Sequence, residues 1–140
     1  MSRSGYSDDC DDNWGLIRWR GAVMAAIRGA RGRSFLKELA SAMDAMPIKE
    51  LIANSLEADG GFCALGVVGH LRGIDMSEID PDDREVVAAK FNIAPALAAE
   101  IVFENDECGW SSETGLARWL RMRAWVDNRL MLADKQTAIR

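Results

Sequence analysis

Histidine and cysteine are scarce in this 140-residue chain. His70 stands alone, and Cys10, Cys63 and Cys108 form an odd, widely spaced set. That pattern argues against a disulfide framework and lacks the paired ligand spacing of a zinc site, so no metal or cofactor is expected. No apolar run approaches the roughly 18 residues of a membrane span. The opening Met1-Ser2-Arg3-Ser4-Gly5-Tyr6 does not lead into the apolar stretch of a signal peptide. The expected setting is therefore the cytoplasm, with no membrane partner. Calcium loops are missing too, although aspartates are dense. Counting from Asp9, Trp14 and Arg20 stand where the loop needs glycine and glutamate; counting from Asp75, Asp80 replaces the glycine.

What is present is an ordinary globular composition, 49% apolar and 28% charged, in a length that fits one domain. Charge is uneven along it. Residues 14–43 carry net +5, whereas residues 44–107 carry net −10. An acidic middle of this kind is either the solvated face of a helical domain or a surface that attracts a basic partner.

The periodicity predicts a mostly α, compact single domain of five or six helices with one short β-hairpin. An acidic lead-in occupies 1–13, the helical domain 14–132 and a frayed tail 133–140. Asp12 or Asn13 can cap a helix over 14–28, with Ile17, Val23, Met24 and Ile27 inward. Gly29-Ala30-Arg31-Gly32 breaks it. A second helix, 34–46, places Leu36, Leu39, Met43 and Met46 on one face, and Pro47 stops it. Asp59-Gly60 signals a hairpin between Leu51–Glu57 and Gly61–Cys63. A third helix follows from about Cys63 to Arg72. Asp80 then reads as the N-cap of a helix with Pro81 in its first position and Asp82 and Asp83 in its first turn. Pro95 opens a helix to about Glu104, Asn105 to Trp110 form a loop, and Ser111 or Ser112 caps a last helix. Leu116, Trp119, Leu120, Val126 and Leu130 are its expected apolar face.

Three sets of residues invite chemistry. The helices flanking Asn92-Ile93-Ala94 look like a helix-turn-helix, but Glu100, Glu104, Asp106 and Glu107 would repel phosphate, so sequence-specific DNA reading is rejected. Arg18, Arg20, Arg28, Arg31, Arg33 and Lys37, near Trp14 and Trp19, are the better candidates for gripping RNA or a single strand. The alternative is that the tryptophans are core and the arginines pair with the acidic middle, which the sequence pI of 4.9 favours. Cys63, where a hairpin feeds a helix, is the one candidate nucleophile, with Asn105 or Asp106 as assistants. Its rival reading is a small buried cysteine, because His70 lies about 10 Å away along the same helix, too far to act as its base.

The stretch Gly61-Phe62-Cys63-Ala64-Leu65-Gly66, followed by Glu104-Asn105-Asp106 and by Thr114 entering a final helix, resembles uncharacterised small phage- and prophage-associated bacterial proteins. These share a Cys-Ala-x-Gly helix start and a later Asn-Asp pair. The opening 3–12 and Leu56-Glu57-Ala58-Asp59-Gly60 extend that resemblance over most of residues 3–126. It implies an accessory protein acting in a bacterial host cytoplasm, with no established activity to transfer. The expected function is a non-enzymatic protein-binding module, an inhibitor of a host defence complex of the anti-CRISPR kind. Its partner would present a basic surface to Asp75, Glu78, Asp80, Asp82, Asp83, Glu85, Glu100, Glu104, Asp106 and Glu107. Cysteine-dependent catalysis by Cys63 and nucleic-acid binding by the arginine-rich helices are the alternatives.

Overall fold

The stripe Leu36, Leu39 and Met43 is fully buried, and it organises the molecule around the second helix. A computed structural model describes residues 13–109 and 112–139. Among them run α1 (Asn13–Arg28), α2 (Ala30–Asp44), β1 (Glu57–Ala58), β2 (Gly61–Phe62) and α3 (Ala64–Arg72). A 3-10 turn (Met76–Glu78), α4 (Arg84–Phe91), α5 (Pro95–Glu107) and α6 (Gly115–Ile139) complete the order. α2 packs against α3 and α6, α1 lies across α5, and α4 folds back on α5. The fold is the mostly helical domain with one hairpin that the periodicity predicts. No single helix among the described residues is long and apolar enough to cross a membrane; α4 and α5 together pass that test but meet at 105°.

Several boundaries differ from expectation, each for a local reason. The break after α1 is Gly29 alone, and α2 starts at Ala30 rather than at Ser34. Gly32 sits inside α2 because the helices cross there: a Cβ would stand 1.9 Å from the carbonyl oxygen of Ala26. α2 ends at Asp44, where Lys49 donates to the free carbonyls of Asp44 (2.8 Å) and Met46 (2.6 Å). Asp80 does not cap α4. It accepts from Asp82 N in a separate turn, and Asp83, accepting from Val86 N, is the N-cap. α5 runs past Glu104 to Glu107, so Asn105 and Asp106 are helical residues and not a loop.

α6 begins at Gly115, with Thr114 Oγ1 accepting from Ala117 N. The helix continues beyond residue 133, where fraying is expected, to Ile139. Its buried face is Trp119, Met122, Trp125 and Val126, while Leu116 and Leu120 are 50% and 56% exposed. Ile17 of α1 is likewise exposed. Cys10, Trp110, Ser111 and the acidic lead-in up to Asp12 lie outside the described residues.

The hairpin forms as its turn residues require. Asp59 (φ 53°) and Gly60 (φ 80°) both take the left-handed conformation of a two-residue turn, pairing Glu57 with Phe62 and Ala58 with Gly61. The strands are only two residues long. Residues 51–56, expected as the first strand, form an irregular connector.

Candidate functional site

Cys63 caps α3. Its backbone is extended, its Sγ accepts from Gly66 N at 3.4 Å, and the residue is 1% exposed. The sulfur is thus a hydrogen-bond acceptor at a helix end and not a thiol open to substrate. Gly66 is required by the same junction, because a Cβ there would lie 1.9 Å from Leu56 O. His70 is exposed on the opposite end of α3 and stacks on Phe62, with ring centroids 4.7 Å apart.

Asn105 does meet the Cys63 turn. It is 1% exposed, and its Oδ1 accepts from Ala64 N at 3.1 Å. Its Nδ2 donates to Ile52 O and to Asp106 Oδ1, both at 2.8 Å, and Asp106 Oδ1 also accepts from Asn54 N at 3.1 Å. Two arginines of α6 complete the network. Arg118 donates to Asn105 O (3.0 Å) and Leu51 O (3.3 Å), and Arg121 donates to the carbonyls of Asn105 and Glu104. Glu113 aligns both guanidiniums, and its hydrogen bond with Arg121 holds its carboxyl below the ordinary range. The expected assistants of a nucleophile therefore stitch α3, α5, α6 and the 51–56 connector together. Such a satisfied buried network rigidifies rather than reacts.

The same connector also borders a concavity. A groove of about 700 Å³ is bounded by the end of α2, residues 45–53, the hairpin and α3. Met46, Ile48, Ile52, Phe62, Val67 and Leu71 supply apolar walls. Two of these wall residues, Ile48 and Leu71, are 66% and 61% exposed, so the apolar walls open to solvent. The volume falls in the roughly 300–1,000 Å³ range of ligand sites. Its residues come from three separated stretches, 42–53, 58–62 and 67–71, and the available sequence signal is the apolar, non-periodic run Met46-Pro47-Ile48 before Leu51-Ile52-Ala53.

The ten acidic candidates divide. Asp75, Glu78, Asp80, Asp82, Asp83 and Glu85 form one exposed run, with Asp75, Asp80 and Asp83 also accepting local backbone N–H groups. Glu107 is exposed, whereas Asp106 belongs to the Asn105 network. Glu100 and Glu104 line a second cavity of about 440 Å³ with Trp19, Arg20, Phe103 and Arg129. Burial, reinforced by Glu104 and partly offset by Arg129, raises the Glu100 carboxyl to about 7. Of the arginine-rich helices, Trp19 is half-buried and carries the Arg84 guanidinium 5.4 Å from its ring. That arrangement occupies the ring a base would stack on. Among the described residues no three His, Cys, Asp or Glu side chains are placed to hold a metal.

In comparisons with protein-family models, curated proteins and solved structures, nothing matches this chain.

Proposed function

We infer that the chain is a non-enzymatic protein-binding module whose contact surface is the groove between α2, the 45–53 connector, the hairpin and α3. The observation that carries this reading is the continuation of the apolar walls onto Ile48 and Leu71, which stand in water at the rim. A small ligand in the cavity would cover only the part of those side chains that faces it; a polypeptide lying along the groove would cover more of them. Exposed apolar patches of this kind mark interaction sites. The burial of Cys63 and the structural use of Asn105 and Asp106 weigh against the thiol-enzyme alternative.

The exposed carboxylates of 75–85 support a finer form of the same proposal. They would draw in a basic partner from a distance, as an inhibitor of a host nucleic-acid-handling complex requires when its acids stand in for phosphates. The test is capture of partners from a bacterial lysate by the wild type, by Ile48→Asp with Leu71→Asp, and by Asp75→Asn, Asp82→Asn and Glu85→Gln together. A partner lost from the groove variant supports the module. One retained by it moves the contact elsewhere. Loss from the neutralised variant, with weakening at high salt, supports the acidic form; salt-independent capture removes it.

A further inference from the structure

The charge around the groove specifies what enters it. Its ionisable lining consists of Glu50, Asp59 and His70, with no lysine or arginine. Two nearby cations are engaged elsewhere. Lys49 turns its Nζ to the carbonyls of Asp44 and Met46 and lies 5.6 Å from the Trp119 ring centroid. Arg72, one residue beyond Leu71, donates to both Glu38 oxygens and to Phe91 O. The groove thus pairs an apolar floor with a carboxylate at two of its edges, one on the connector and one at the hairpin turn.

Resting on the protein-binding reading, we propose that the groove holds a segment of a partner protein that presents apolar side chains flanked by lysine or arginine. The apolar side chains cover Ile48, Phe62 and Leu71, as anchors do in helix-in-groove recognition. The flanking cations meet Glu50 and Asp59. An acidic or uncharged apolar segment makes the same floor contacts and leaves both carboxylates desolvated without partners, which is the source of discrimination.

The proposal is tested with the full chain and two labelled synthetic peptides of equal length and identical leucine spacing, one with lysines and one with glutamates at the polar positions. Fluorescence anisotropy is expected to show at least tenfold tighter binding of the leucine-lysine peptide. Glu50→Lys with Asp59→Asn should erase that preference while the protein stays folded, Asn being compatible with the positive φ at position 59. Ile48→Asp with Leu71→Asp should abolish binding of both peptides. Neutralising Asp75, Asp82 and Glu85 should leave the preference intact, with amide shifts confined to residues 45–62 and 67–71.

Equal binding of both peptides overturns the proposal. So does a preference that survives the Glu50 and Asp59 changes but vanishes with the 75–85 changes. Lysate capture that depends on Ile48 and Leu71 but ignores Glu50 and Asp59 would leave the module standing and remove only its basic partner. Capture that ignores Ile48 and Leu71 as well would remove the module reading itself.

Discussion

Glu100→Gln should stabilise this protein at neutral and alkaline pH. The carboxyl sits on α5 in the cavity covered by Trp19, Arg20, Val23 and Met24 of α1, with Glu104 one turn away and Arg129 opposite from α6. Burial first, and Glu104 second, lift it from 4.5 to about 7. An acid with a raised pKa in the folded state binds its proton more tightly there than in the unfolded chain. Stability from this group is therefore greatest below 4.5, falls between 4.5 and 7 as the unfolded chain releases its proton first, and levels off above 7. The full shift corresponds to about 3 kcal/mol at 1.36 kcal/mol per pH unit. Because the carboxyl is only partly shielded from water, about 1–2 kcal/mol is the expected effect. Urea denaturation of wild type and Glu100→Gln at pH 5 and pH 8 isolates it, since the difference between the two proteins cancels the remaining groups. The variant should be more stable by about 1–2 kcal/mol at pH 8, a gain of about 3–6 °C in Tm, with the gap closing towards pH 5. Parallel pH profiles, or a variant weaker at pH 8, would refute the burial argument.

Other consequences are as direct. Asn105→Ala removes the partner of Ala64 N and Ile52 O inside the protein; a loss of about 3 kcal/mol and roughly 10 °C in Tm is expected in a thermal scan. Asn105→Asp should be worse at pH 7, because an ionised carboxylate has no donor for Ile52 O and faces Asp106, and should recover part of the loss on acidification. Gly66→Ala forces a methyl into Leu56 O, and a loss of about 3 kcal/mol in urea denaturation would register the shift of the α3 start. Partial burial of the sulfur and the neighbouring Glu104 carboxylate push the Cys108 thiol up to about 12. Iodoacetamide at pH 8, read by site-resolved mass spectrometry, should thus label Cys108 about 100-fold or more slowly than in the unfolded chain. Cys63 should label only on opening of the fold.

The parts of the fold legible in the sequence are those set by local physics. Asp59-Gly60 admits the left-handed pair of a hairpin turn, and Leu36, Leu39 and Met43 leave α2 one way to face the core. The misread parts have competing local solutions. Asp80 and Asp83 can each accept a backbone N–H two or three residues on, and the chain uses both, one in a turn and one as the cap. Leu116 and Leu120 form as good an apolar stripe as Trp119, Met122 and Trp125 do. Only docking of α6 on α2, where Trp119 Nε1 reaches Met43 O at 3.3 Å, decides which one is buried. The groove is less legible still, since the connector, the hairpin and α3 contribute a few residues each and α2 only Ala42.

Asn105 links α5 to the segment that borders the groove. The 51–56 connector belongs to neither a helix nor a sheet, so its carbonyls and amides need donors and acceptors from elsewhere. Asn105 and Arg118 donate to Ile52 O and Leu51 O, Asp106 accepts from Asn54 N, and Ile52 N donates to Phe62 O at 3.0 Å. Each tie fixes one residue of an otherwise irregular segment, and Ile52 and Ala53 are also part of the groove wall. The buried network thus holds in place the segment that carries Ile52 and Ala53 into the groove wall. A wall fixed before binding spares the partner the entropy of ordering it, so the groove should bind with little change in the backbone of 51–56. The Asn-Asp pair, though outside the groove lining, is then what would preform the proposed site.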